Sequence, residues 1–203
     1  YLINKISDSC FQTNPFKHIY LENFLSNNHF KQITSSKQID LTHFESTKSL
    51  CYGLLDNEFE PVPFPGCTAN INEYCKWEEG SSKYFSNVNT TEGYGMVFRM
   101  QKPIDLITKE IFNFINSKEL KQVLCNKFKI DSEDVYLDVG IQKYLNGYEI
   151  SPHPDVRKKA LTFMININPG INSEKADFHT HYLRFIDSKK YIYDFWRYNN
   201  KFD

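Results

Sequence analysis

The residues of this sequence with the clearest potential for chemistry are a histidine and an aspartate two positions apart, His153 and Asp155. On extended backbone, residues i and i+2 project from the same face, so this imidazole and carboxylate can reach one metal ion. Pro154 fixes its own φ and pushes His153 towards extended geometry, which makes the pair stiff. A histidine and a carboxylate are two of the three ligands of the facial triad that holds non-haem Fe(II). A metal-free surface turn is the alternative interpretation.

Two stretches with a period of two surround this pair and predict the strands that position it. In residues 135–144 apolar and polar side chains alternate, and Asn146-Gly147 after them is a strong turn signal. In residues 161–168 Leu, Phe and Ile side chains share one face, and Thr, Met and Asn side chains share the other. The sequence therefore predicts a strand on each side of the metal-binding pair.

Helical signals lie earlier in the chain. Residues 104–122 carry apolar side chains at helical spacing, and Asp105 lies near the start of this run, where a carboxylate favours the helix dipole. Residues 26–28 (Ser-Asn-Asn) form a turn or cap signal. Residues 52–95 are rich in Gly, Pro, Asn and Ser and predict a long irregular insertion. Helices followed by alternating strands favour an α+β fold with a helix-supported antiparallel sheet, sandwich or barrel.

The stretch from Tyr144 to Asp155 has the form Tyr-x-x-Gly-x-x-Ile-x-x-His-x-Asp. With its flanks, residues 136–169, it resembles the entry to the metal site of Fe(II)- and 2-oxoglutarate-dependent oxygenases of the prolyl-4-hydroxylase-like branch. In that family a tyrosine at the position of Tyr144 contacts the co-substrate, and Gly147 holds the position of the glycine. Gln142 lies on the same predicted strand face as Tyr144 and is a candidate pocket residue, with a satisfied core polar group as the alternative.

The resemblance implies a fold and a reaction. The implied fold is α+β and mainly β, a double-stranded β-helix (jelly roll) with N-terminal supporting helices. One domain would cover residues 1–203, with a helix-containing part over 1–134 and the start of the metal-binding β-helix over 135–203. The implied reaction is hydroxylation of a small-molecule or peptide substrate by an Fe(II) dioxygenase, in which O₂ and 2-oxoglutarate yield succinate and CO₂. Ascorbate is a further candidate cofactor.

The family also requires a second metal-binding histidine late in the β-helix. Only His179 and His181 follow the motif, and they lie 24 and 26 residues after Asp155. Strands of about 5–6 residues with their turns leave too little room for the chain to return to the metal. The expectation is therefore that the distal histidine, and the Arg or Lys that pairs with 2-oxoglutarate, lie beyond Asp203. His179 or His181 as the third ligand is the alternative.

Two other functions stay open at this point. Asp177, His179 and His181 alternate, so they could share a strand face in a cupin-like metalloprotein. The glycine spacing and the following Glu of the cupin motif are absent, and a polar strand face without metal is the plainer interpretation. The other possibility is a non-catalytic jelly-roll binding module that lacks the full triad.

Bulk composition narrows the class of protein. The chain has 203 residues, 40% hydrophobic and 16% aromatic, which is enough to bury a core. Its formal net charge of -1 gives no reason to expect nucleic acid or an anionic membrane as a partner. No apolar run reaches the roughly 18 residues of a membrane-spanning helix. The odd number of cysteines without Cys-x-x-Cys spacing favours reduced thiols in a cytoplasmic protein.

Overall fold

The computed structural model describes most of the chain, in two compact units. The described residues are 1–41, 44–64, 67–79, 94–150, 158–168 and 180–192, with His153, Asp155, Gly170, Ser173, Lys175, Asp194 and Phe195. One unit combines Tyr1–Phe24 with Pro152–Asp203, and the other is Leu25–Ser151.

The secondary structure of the described residues is mainly helical. The helices are α1 Leu2–Asp8, α2 Asn27–Thr34, α3 Thr47–Asp56, α4 Ile71–Glu78, α5 Leu106–Ile115 and α6 Lys118–Phe128. The strands are β1 Phe59–Pro61, β2 Val97–Met100 and β3 Ile141–Tyr144, and a 3₁₀ turn covers Asp187–Lys189. No helix in this part of the chain is long and apolar enough to cross a membrane.

Side-chain caps fix where several helices begin. Ser26 accepts a hydrogen bond from the backbone N–H of His29 and starts α2, which confirms the cap signal in the sequence. Asp105 accepts from Thr108 N at 2.8 Å and starts α5. The first N–H groups of a helix have no partner within the helix, so such acceptors stabilise its start. Ser117 likewise caps α6, and the single helix predicted over 104–122 is therefore two helices.

The strands form one open antiparallel sheet in the order β1-β2-β3. Phe59 lies opposite Met100 across β1 and β2, and Arg99 lies opposite Gln142 across β2 and β3. Alternate residues of a strand point to opposite faces, so the sheet has an apolar face and a polar face. The apolar face, together with α3 and α4, forms a buried cluster of Leu41, Cys51, Leu54, Phe59, Tyr74, Met96, Phe98 and Met100.

The jelly-roll prediction is wrong for the described residues. They contain three short strands in one open sheet rather than a double-stranded β-helix. Of the alternating residues 135–144 only Ile141–Tyr144 pair with a neighbouring strand, and residues 161–168 contain no strand. Alternation indicates which side chains would share a face if the backbone were extended, but a sheet also needs a partner strand to bond with. The prediction that residues 52–95 form a long irregular insertion is also wrong in part, because β1 and α4 lie within that range.

Candidate functional site

The His153–Asp155 pair lies in the unit that combines residues 1–24 and 152–203, and both residues are exposed. Each carboxylate oxygen of Asp155 has its own donor. Lys159 Nζ donates to Oδ1 at 2.8 Å, and Thr162 Oγ1 donates to Oδ2 at 2.5 Å. Because two donors hold the two oxygens, the carboxylate has a defined orientation before any ligand binds.

The surroundings of Asp155 keep it ionised. Partial burial acts to raise the pKa of its carboxyl, but the hydrogen bonds from Lys159 and Thr162, and the nearby His153, outweigh this and hold the pKa below its usual value. A hydrogen bond to the charged form of a group favours that form. At neutral pH the site therefore offers a carboxylate with an imidazole close enough to affect its ionisation.

These two residues fit Fe(II) in donor chemistry, because imidazole nitrogen and carboxylate oxygen belong to the facial triad. No group of three His, Cys, Asp or Glu side chains able to hold a metal occurs within the described ranges. His181 is described and exposed and belongs to no such group, whereas Asp177 and His179 lie outside the described residues. The Lys159 ammonium lies 2.8 Å from Oδ1 of Asp155, an oxygen that a metal ligated by this carboxylate would also use.

Tyr144 and Gln142 lie in the other unit, on the polar face of β3. The Tyr144 hydroxyl donates a hydrogen bond to Gln142 Oε1. Although the Tyr144 side chain is 48% exposed, partial burial of its phenol raises the pKa; Cys67 adds to this rise and the Arg99 guanidinium opposes it. The phenol is thus protonated at neutral pH, and its single proton is the one that it donates to Gln142 Oε1.

A second tyrosine extends this polar face. The rings of Tyr144 and Tyr148 have centroids 4.7 Å apart. Burial, with smaller effects of Tyr144 and Cys67, raises the pKa of Tyr148 to about 12. Both phenols are therefore neutral hydrogen-bond donors over the physiological pH range.

The predicted turn at Asn146-Gly147 is present and needs its glycine. Gly147 has φ +76, and Tyr148 N donates to Leu145 O at 3.3 Å across the turn. A Cβ on Gly147 would lie 2.1 Å from a ring carbon of Trp77, which leaves no room for a side chain. The turn thereby fixes where the chain leaves β3 after Tyr144.

Four residues of these surroundings have no role in the sequence-based site: Lys159, Thr162, Arg99 and Tyr148. Lys159 follows Asp155 by four residues, the distance of a local ion pair, and this spacing is a signal that sequence alone offers. Arg99 is the one charged residue in the otherwise apolar strand β2, and this contrast is also visible in the sequence alone. Its position opposite Gln142 depends on a pairing between distant segments that no local pattern encodes.

No protein-family model, curated protein or solved structure matches this chain.

Proposed function

We propose that this chain is an Fe(II)- and 2-oxoglutarate-dependent oxygenase that hydroxylates a small-molecule or peptide substrate in the cytoplasm. The observation that supports this most is the imidazole and carboxylate pair, His153 and Asp155, with the carboxylate held ionised by two donors. The other residues of the Tyr-x-x-Gly-x-x-Ile-x-x-His-x-Asp string in which the pair lies add to this support. The proposal is based on these side chains and not on a jelly-roll fold.

The chain's own residues would have separate tasks in this function. His153 would offer a ring nitrogen as a metal ligand, and Asp155 would supply a negative charge that offsets part of a divalent metal's charge. Thr162 orients the carboxylate, as partners of metal ligands commonly do. Fe(II), once bound with O₂ and 2-oxoglutarate, supplies the oxidising chemistry that these side chains lack.

Metal binding provides the direct test. Anaerobic titration with Fe(II), with and without 2-oxoglutarate, is carried out on the 203-residue chain and on the complete gene product, and at least the complete product should give a visible metal-to-ligand charge-transfer band that requires both additions. His153→Ala and Asp155→Ala should abolish the band and the Fe(II) binding measured by calorimetry. His29→Ala, an exposed histidine on α2, is the matched control and should leave both unchanged.

The same titration separates the candidates for the third ligand. Loss of the band in His179→Ala or His181→Ala would assign that histidine. Metal binding that survives Asp155→Ala but is lost with His179→Ala would favour the cupin-like alternative. If neither the 203-residue chain nor the complete gene product binds Fe(II), or if Asp155→Ala binds it as tightly as wild type, the oxygenase proposal is wrong.

A further inference from the structure

Two cysteine side chains meet between α3 and α4 in the unit Leu25–Ser151. The two helices pack against each other, and Cys51 lies in the middle of the first and Cys75 in the middle of the second. Cys51 is 0% exposed and Cys75 is 7% exposed. The Cys51 thiol donates a hydrogen bond to the sulfur of Cys75, since the contact acts to raise the pKa of Cys51 and to lower that of Cys75. Two thiols that are 24 positions apart in the chain are thus in contact inside the fold.

The surroundings of the two thiols give them different reactivity. Burial raises the pKa of Cys51 to about 12, so this thiol keeps its proton at neutral pH. Burial and neighbouring carboxylates also raise the pKa of Cys75, but the Lys48 ammonium and the hydrogen bond from Cys51 oppose that rise. The thiolate is the form that attacks a disulfide, and it needs access to the other sulfur. Cys75 has both the residual exposure and the two stabilising contacts, so it is the first nucleophile of the pair and Cys51 is the second.

The other three cysteines of the chain lie in different surroundings. Cys10 is exposed and Cys67 is half-buried, and Cys67 forms an isolated β-bridge with Gly95. Cys125 is 5% exposed and lies on α6, so it is buried to the same degree as Cys75 but on a different helix. Cys125 therefore shows how a buried thiol of this chain reacts outside the α3–α4 contact.

We propose that Cys51 and Cys75 are a modification site, at which a small-molecule disulfide oxidises them to a reversible disulfide that joins α3 to α4. The Cys75 thiolate forms a bond to one sulfur of the oxidant, whose own sulfur–sulfur bond breaks and releases a thiolate that takes up a proton. Cys51 then loses its proton to solvent and forms a bond to the Cys75 sulfur, and the second small thiolate leaves and is protonated. The two protein thiols lose two electrons in total, and the oxidant gains them as it becomes two thiols. An excess of small thiol reverses both steps.

The cross-link closes a loop over residues 51–75, which contains β1, an edge strand of the sheet. Cys51 belongs to the buried cluster, as does Tyr74, which precedes Cys75. A disulfide limits the freedom of the unfolded chain, so it stabilises the folded chain, and the effect grows with the length of the loop. Because the thiols are already in contact, the helices need to move little for the bond to form. Oxidation should therefore stabilise this unit. The proposal does not depend on metal binding by His153 and Asp155, which lie in the other unit.

The test uses the 203-residue chain and glutathione disulfide as the oxidant. After incubation, the remaining thiols are blocked with iodoacetamide in denaturant, and the peptides are mapped by mass spectrometry with and without dithiothreitol. We expect a linked pair of peptides that contains Cys51 and Cys75 and that dithiothreitol separates. The midpoint of urea unfolding should be higher in the oxidised chain than in the reduced chain by about 1 M, because the loop is closed.

Single variants test the order of the two steps. Cys51→Ala should carry one glutathione on Cys75, because the second thiol is absent, whereas Cys75→Ala should leave Cys51 unmodified. Cys125→Ala is the matched control for loss of a buried thiol and should give the same linked peptides as wild type.

The peptide map of the wild-type chain decides even where an alanine variant does not fold, as judged by circular dichroism. Absence of the linked peptides in the folded wild-type chain would overturn the proposal, as would a link from Cys75 to Cys67 in their place. A linked chain whose urea midpoint does not rise, or glutathione on Cys51 rather than on Cys75 in the folded variants, would overturn it equally.

Discussion

At the scale of single residues, Asp155 has two donors that act alike on its pKa but differ in their effect on a metal. Thr162 is neutral and orients Oδ2, whereas Lys159 is a cation on Oδ1. Removal of either donor takes away a hydrogen bond that favours the ionised carboxylate, so the pKa of Asp155 should rise towards its ordinary value. The two side chains should nevertheless have opposite effects on metal affinity.

Thr162→Val should weaken metal binding. The valine keeps the shape of threonine but removes the hydroxyl that fixes the carboxylate, and loss of such a supporting partner typically costs 10- to 100-fold in metal affinity. With Asp155 exposed, we expect a loss of about 10-fold. Calorimetric titration with Fe(II) gives the affinity, and NMR titration of Asp155 gives the pKa. Thr180→Val, at another exposed threonine, is the control, and an unchanged affinity in Thr162→Val would show that the hydroxyl has no supporting role.

Lys159→Met should strengthen metal binding while it raises the pKa of Asp155. The ammonium competes with the metal for Oδ1 and repels a divalent cation. Both side chains of the pair are about half exposed (51% and 43%), and exposed pairs contribute about 0.2–1 kcal/mol, so we expect a gain in metal affinity of about 1.5- to 5-fold. Lys158→Met controls for the loss of nearby positive charge. Weaker binding in Lys159→Met at neutral pH would mean that the lysine supports the site rather than competes for it.

At the scale of the element, the start of α5 depends on a carboxylate whose ionisation is coupled to folding. Partial burial acts to raise the pKa of Asp105, but hydrogen bonds from Ser36, Thr108 and the backbone outweigh it and lower the pKa. Gln38, which is 2% exposed, accepts from Thr108 Oγ1 at 2.8 Å and joins the same network. A carboxyl with a lowered folded pKa adds stability that is present above its unfolded pKa and is lost as the pH falls through the folded value.

Asp105→Ala should destabilise the chain by about 1 kcal/mol at neutral pH, because it removes the cap of α5. Asp105→Asn keeps a side-chain acceptor without the charge, so it should cost less at neutral pH. The difference in the free energy of unfolding between wild type and Asp105→Asn should begin to shrink below about pH 4, where the unfolded carboxyl takes up a proton, and should close as the pH falls through the lower folded pKa. Urea unfolding at neutral and acid pH measures both effects. A difference in the free energy of unfolding that stays constant with pH would show that the ionised form of Asp105 contributes nothing to stability.

Sequence patterns predict helix starts better than they predict where strands pair. The cap at Asp105 follows from residue type and position, because capping is a local hydrogen bond between a side chain and the next turn. The break between α5 and α6 is missed since apolar spacing continues through it, although Ser117 marks it. In residues 135–144 the alternation is longer than the strand, because β2 offers only Val97–Met100 as a partner for β3.

At the scale of the whole molecule, the local parts of the candidate site are predictable and the distant parts are not. Gln142 and Tyr144 lie on one strand face, as their spacing predicts, while their role in binding stays a prediction. His153 and Asp155 follow from their types and spacing, and their metal binding is likewise untested. Arg99 joins Gln142 only through the register of β2 with β3, a pairing between segments far apart in the chain. Such a contact depends on the folded topology, which local periodicity does not contain.

The division into two units gives a prediction about which chemistry each part of the chain holds. The unit Leu25–Ser151 contains the whole buried cluster and the sheet, so a fragment of these residues should unfold cooperatively in urea. Since it lacks His153 and Asp155, it should bind no Fe(II) through that pair. A fragment of residues 25–134 lacks β3 and serves as the matched control; it should lose the cooperative transition. If the longer fragment shows no cooperative transition, the buried cluster needs residues outside Leu25–Ser151 in order to fold, and the assignment of an independent core to this unit is wrong.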